Sequence, residues 1–312
     1  MRPHVTPLPG ESRLLLDVAR GSSPPGLRIE ATSGGRWWLV QNGTPVLFAR
    51  IEPHRYGIRV LRTGAYASPV PPPRAATARA LADGVGFWRR HLRWAARFAR
   101  SLAESPTGFL HEGQWRLRPV VRRPVGPVGP EVLDRLPPTP AAFLDWCDGF
   151  GDGPQRGFLA ELLPLRELSP PDAARVRSYR RQVREGVLPP VLLWQLTGTD
   201  CPVIVDGHDR FVAALAEGEP PPMLLAEHVD ASPALLAEDV AAFTVHATRV
   251  YRQIEAGSPG AEQALADMTK AFAADLTDGE ARRTRAWPLP GGSAAWREQA
   301  ERHAPGWADE PW

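Results

Sequence analysis

Residues 203–214 read VIVDGHDRFVAA, and the change of character inside this stretch decides the fold. The apolar run up to Val205 predicts a short buried strand, which Asp206-Gly207 ends. From Asp209 the segment DRFVAALAEG predicts a short helix with Gly218 in the capping place beyond its C-terminus. A strand that feeds a helix through glycine leaves unpaired backbone N–H groups at the helix start, where an anion is stabilised. Asp206, Gly207, His208, Asp209 and Arg210 are therefore the first candidates for function.

Working outward, the segment 157–168 (GFLAELLPLREL) predicts a strand, and 170–186 a helix with Pro171 and Asp172 in its first turn. Residues 190–196 (PVLLWQL) predict a second strand, Thr197 to Asp200 a turn, and 221–229 (PPMLLAEHV) a last strand. Upstream, residues 36–62 predict a three-stranded meander. Asn42-Gly43 is its strongest mark, because both central residues of a type I′ hairpin turn need positive φ, and a second turn falls between Pro53 and Gly57. After the proline-rich 68–74 comes a long helix, with Leu81, Val85, Trp88, Leu92, Ala95, Ala99 and Leu102 as its buried stripe. Arg89, Arg90, Arg93, Arg97 and Arg100 lie on its other faces, with Trp94 among them. That surface reads as a solvated helix face or as a nucleic-acid platform.

Residues 119–140 are too rich in proline and glycine for a regular element and read as a linker, followed by a short helix at 140–148. Beyond 230, Leu236, Val240, Phe243, Ala247, Val250 and Ile254 recur at helical spacing, and a further helix is expected at 261–276. The tail from 286 holds Trp287, Trp296, Trp307 and Trp312, as an arm tucked into the body or a loose end. The expected divisions are 1–118 (meander and amphipathic helix), 119–140 (linker), 141–229 (mixed-sheet core), 230–285 (helical) and 286–312 (tail). The fold class is α+β.

The order strand, helix, strand, turn, strand, DGHxR, helix, strand resembles the ParB/sulfiredoxin superfamily over 157–229. Leu162 to Leu168, Pro189-Pro190-Val191, Val203 to His208, Arg210 and Ala213-Ala214 carry the likeness. The nearest branch is that of the free serine kinases, which have a VDGHHR loop and a carboxylate base just after a proline. The resemblance implies a nucleotide triphosphate or diphosphate held by Gly207, His208 and Arg210, and phosphate transfer to a small hydroxyl compound with Asp172 and His208 as catalytic groups. It implies Mg²⁺ at Asp206 and Asp209, the latter a carboxylate where the superfamily usually places a phosphate-attracting Arg or His. Each residue has a plainer reading: Asp172 favoured by the helix dipole, Asp206 as a cap, Gly207 as a turn, Arg210 as surface. A second reading of the whole keeps the fold without catalysis, as a binding or regulatory module for a protein partner.

Other classes are set aside. A sulfiredoxin attacks with cysteine where His208 stands, and a ParB partition protein needs a helix-turn-helix that 233–276 does not suggest. With one lysine, Lys270, no Walker loop exists, and neither HExxH nor GxSxG occurs. No apolar run approaches the roughly 18 residues of a membrane helix. The two cysteines, Cys147 and Cys201, suggest free thiols in a reducing cytoplasm. A formal charge of +2 calls for no polyanionic partner by itself.

Overall fold

The computed structural model describes residues 2–8, 11–19, 23–52, 57–120, 144–146, 162–196, 202–230, 233–257 and 284–309, with 261, 262, 265, 266, 269, 281 and 282. These residues form an α+β fold of two mixed sheets and several helices.

The first sheet takes in the strands on either side of the VIVD segment. β9 (Leu163–Pro164), β10 (Val191–Trp194), β11 (Val203–Asp206) and β12 (Met223–Asp230) stand in the order β12-β10-β11-β9. β10 is antiparallel to β11 and parallel to β12, while β9 runs parallel to β11 at the edge. Between them lie α3 (Ala174–Arg184) and α4 (His208–Ala216), so the element order agrees with the one expected. The boundaries of β10 and β12 differ by one or two residues, and two others differ by more. Only Leu163 and Pro164 of the described part of 157–168 are strand, because Pro164 has no N–H with which to continue a ladder. α3 begins at Ala174, so Pro171 and Asp172 precede the helix instead of occupying its first turn.

β12 also pairs antiparallel with β7 (Gly113–Pro119), which pairs with β2 (Glu11–Val18), and β2 with β1 (Arg2–Leu8). The expected boundary after 118 therefore does not separate two sheets. The meander holds as β4 (Arg36–Gln41), β5 (Thr44–Glu52) and β6 (Gly57–Arg62), with Asn42 and Gly43 both at positive φ, 51° and 84°. It is the middle of a six-stranded sheet completed by β3 (Leu27–Ala31), by β8 (Leu144–Trp146) beside β6, and by β14 (Ala286–Pro288) parallel to β3. The helix expected at 140–148 is thus a strand in its described part, where edge pairing with β6 outweighs the local pattern. β13 (Ala281–Arg282) adds a short pairing to β12.

One large core joins the facing sides of the two sheets: Leu14, Leu16, Trp115, Leu192 and Val205 from the first meet Leu39, Leu47, Ile58 and Val60 from the second. Helix α2 (Phe87–Glu104) closes this core against β2 and β7. The single helix expected from Leu81 onward is broken. α1 (Ala75–Ala82) ends before Gly84, whose φ is 61°, and α2 starts again after Gly86. The break shifts the register, so α2 buries His91, Trp94, Ala95, Phe98, Ala99 and Leu102, while Trp88, expected inside, is exposed. On the far side of the first sheet Phe211 and Leu215 of α4 cover Leu193, Ile204 and Leu225.

The tail docks. In α6 (Gly292–His303) Trp296 is buried, and with Trp307 it covers Trp38, Val40, Phe48 and Leu61 on the outer side of the second sheet. The Trp296 indole donates to the Trp37 carbonyl at 2.9 Å, and Arg50 donates to the Ala308 carbonyl at 3.0 Å while lying over the Trp307 ring. α5 (Pro233–Glu255) is covered less than its stripe suggests, with Val250 buried and Val240 exposed. No described helix is long and apolar enough to cross a membrane. The turns expected at 53–56 and 197–200, the linker from 121, the first part of the 157–168 strand, the end of the 261–276 helix, both cysteines and Trp312 lie outside the described residues.

Candidate functional site

Three buried apolar residues carry β11 into the sheet, and the chain then turns at Gly207 with φ of 97°. A Cβ there would lie 2.6 Å from the Arg210 guanidinium, so glycine is required both by the left-handed backbone and by the close approach. The turn opens α4, and its charged residues are buried: Asp206, His208, Asp209 and Arg210. Burial of this kind demands partners, and each charge has them.

Arg210 points inward. Its Nη2 donates to Asp206 Oδ2 at 2.7 Å and to the Pro190 carbonyl at 2.9 Å, and its guanidinium lies 6.0 Å from the centroids of Phe98 and Tyr179. Asp206 Oδ1 accepts from the Ser68 hydroxyl at 2.8 Å. Next to this pair the Tyr66 hydroxyl donates to the Val205 carbonyl at 2.6 Å. Burial, and then the Asp206 charge, push that phenol well above its ordinary range. Arg210 is thus a core residue at 1% exposure, and replacing it tests the fold before it tests a ligand.

Asp209 faces the other way, into a cradle of cations. Its Oδ1 accepts from Arg166 Nη2 and the Ser169 hydroxyl, both at 2.8 Å, and Oδ2 lies 3.2 Å from Arg175 Nε. The carboxylate that the sequence sets against phosphate is here an anion in the first turn of α4, held by side-chain donors. Arg166 and Arg175 remain 35% and 58% exposed and can be reached from solvent.

His208 sits between the two groups. Its Nε2 accepts a long 3.4 Å bond from the backbone N–H of Arg166. Burial holds it well below the ordinary imidazole range, and Arg166, Arg62 and Arg210 press in the same direction, so it is neutral at physiological pH. Arg62 is itself buried and donates to the carbonyls of Pro164 and Arg166. Among the described residues the guanidinium groups of Arg62, Arg166, Arg175 and Arg210 gather round the turn with the carboxylates of Glu167, Asp206 and Asp209.

The candidates from sequence are only partly brought together. Gly207, His208 and Asp209 share the turn, whereas Asp206 and Arg210 pair behind it. Asp172 is exposed three residues beyond Ser169, and its carbonyl accepts from Arg177. As metal ligands Asp206 and Asp209 do not fit: all four of their oxygens are engaged by arginine or serine, and the two carboxylates answer to different cations. Among the described residues no group of three metal-ligating side chains occurs. The residues that sequence reasoning missed are Arg166, Ser169 and Arg175, together with Tyr66 and Ser68. The first three flank the expected helix start, but nothing local marks which of many arginines turns toward the loop. No family model, curated protein or solved structure matches the chain.

Proposed function

We propose that the protein binds the phosphate group of a nucleotide at the start of α4, through Arg166, Arg175 and Ser169. The observation that supports this reading is the convergence of those three donors on one anionic group, Asp209. A guanidinium has five N–H donors, so each arginine keeps donors for a ligand arriving from solvent. The two guanidinium groups within reach of solvent, beside a neutral His208, suit an anion and not a cation. The likeness to the ParB/sulfiredoxin superfamily, and to its free serine kinase branch, rests on the matching element order and on the DGHxR loop. In this reading the phosphate ligands are Arg166 and Arg175, and Arg210 braces the turn.

Transfer to a small hydroxyl acceptor is the catalytic extension of the same site. Asp172 is its available base, being exposed on the loop that carries Ser169, whereas buried His208 is a bracing group. A second reading has its own support: Asp209 already occupies the cradle, as expected of a non-catalytic module whose loop no longer takes phosphate and whose surfaces serve a protein partner.

Thermal unfolding with ATP, ADP, CTP and GTP, each with and without Mg²⁺, separates these. Binding stabilises the folded chain by mass action, by about 2.7 kcal/mol at a hundredfold excess over Kd, and so raises the melting temperature. The expected rise needs no Mg²⁺ and disappears in Arg175→Ala. No rise with any nucleotide overturns the reading in favour of the module. For the catalytic extension, Asp172→Asn keeps the nucleotide-induced rise and loses turnover, and equal turnover removes Asp172 from the chemistry.

A further inference from the structure

Helix α2 presents the most strongly unbalanced charged face among the described elements. Arg89, Arg93, Arg97 and Arg100 are spaced at four, four and three residues and so share one side, about 16 Å long at 1.5 Å per residue. Arg89, Arg93 and Arg100 are exposed and Arg97 half-buried. No arginine of α2 meets a carboxylate among the described residues. The bonds they make go to carbonyls, Arg90 to Gly186 at 2.6 Å and Arg93 to Leu81 at 3.4 Å. The only acid within the helix is Glu104, its last residue. At its first turn Phe87 and Trp88 stand 45% and 36% exposed, in an edge-to-face pair with centroids 5.2 Å apart.

We propose that this face binds single-stranded nucleic acid without sequence preference, its phosphates following the arginine row and a base stacking on Trp88. A row of arginines that meets no carboxylate among the described residues complements a polyanion, and the exposed Trp88 ring at the start of the helix, about a quarter turn round from Arg89, offers what stacking requires to a strand that bends round the helix end. A bilayer fits less well. An interfacial helix gives its apolar side to lipid, but here that side is occupied by the core against β2 and β7. An acidic protein surface would leave the aromatic pair without a role. The inference is independent of the nucleotide site at α4.

The test measures binding of a fluorescein-labelled mixed-sequence 20-nucleotide DNA strand to the full-length protein by anisotropy, from low to physiological salt. The expected result is affinity falling linearly on a log–log plot with salt. The slope should shrink by about 1.4 in Arg93→Ala/Arg97→Ala, at roughly 0.7 per lost contact on a single strand. Arg93→Lys/Arg97→Lys should keep the slope. Trp88→Ala should lose roughly tenfold in affinity at unchanged slope, because a stack carries no counterions. Melting temperatures of the variants, and their nucleotide-induced rise, should match the parent. No binding at low salt, equal binding by parent and the double alanine variant, equal or tighter binding to the same sequence as a duplex, or preference for anionic vesicles overturns the proposal.

Discussion

Helix α2 and the α3–α4 pair are similarly rich in arginine, and their electrical surroundings are opposite. On α3, Arg175 meets Asp209, Arg181 meets Glu185, and Arg180 and Arg184 both meet Glu217 just beyond α4. Arg210 of α4 is matched inside the core by Asp206. On α2 the same residue type finds carbonyls or solvent. Arginine content alone therefore says little about a polyanion surface. What matters is where the carboxylates of neighbouring elements fall, and for Arg175, Arg180 and Arg184 those lie 33 to 37 residues away in sequence.

The comparison breaks most sharply at Arg210. Arg210→Ala leaves Asp206 buried with only Ser68, and should cost about 3–5 kcal/mol in urea unfolding, the toll of an orphaned buried charge. Arg93→Ala on α2 should stay within about 0.5 kcal/mol. Similar values for both would dissolve the distinction between the two regions.

A smaller effect is expected at the cradle. Asp209→Asn keeps the shape and removes the internal anion, at about 1–3 kcal/mol for weakened charge-assisted bonds. Inorganic phosphate or a nucleotide should then stabilise the variant more than the parent, and an unchanged response in a melting assay would show that Arg166 and Arg175 are not ligands.

Acid acts on both regions through a histidine that burial holds neutral, His91 under α2 and His208 at the start of α4. The unfolded chain binds the proton near pH 6.5 and the folded chain resists it. Stability is therefore complete above about pH 6.5 and declines as pH falls below it, by up to about 1.4 kcal/mol for each pKa unit that folding imposes. His208→Gln should flatten this acid limb more than His91→Gln, because three arginines add to burial at His208. A pH series of unfolding curves reads the difference.

The smallest effect tests whether the regions can be converted into each other. Glu217→Gln releases Arg180 and Arg184 at under about 1 kcal/mol, as befits partly exposed pairs. It should raise polyanion binding on the α3 side, seen as a steeper salt dependence.

Much of this was legible locally. Asn42-Gly43 foretold its turn through a backbone preference, and the apolar runs of β10, β11 and β12 foretold strands because a strand buried on both faces has no polar alternation to hide it. Gly207 was legible as a turn glycine, but the guanidinium against it was not. The stripe drawn from Leu81 through Trp88 failed because Gly84 and Gly86 reset the helical phase, which put Trp94 inside and Trp88 out. Val240 failed for another reason: periodicity marks a face suited to burial without supplying the element that covers it. The site was legible as a location, in the passage from VIVD to helix. Its wiring was not, since Ser68 reaches Asp206 across 138 residues and Arg166 reaches Asp209 across 43.

The docked tail has a consequence for synthesis. Trp38, Phe48 and Leu61 face outward from β4, β5 and β6, which emerge early, yet Trp296 and Trp307, which cover them, come more than 230 residues later. At ribosomal rates of 5–20 residues per second that interval lasts on the order of ten to fifty seconds. Through it the nascent chain lacks the residues that, among those described, close this aromatic surface, so a chaperone that shields such surfaces would matter most in that window, and a ribosome stalled before residue 289 would release a sticky product.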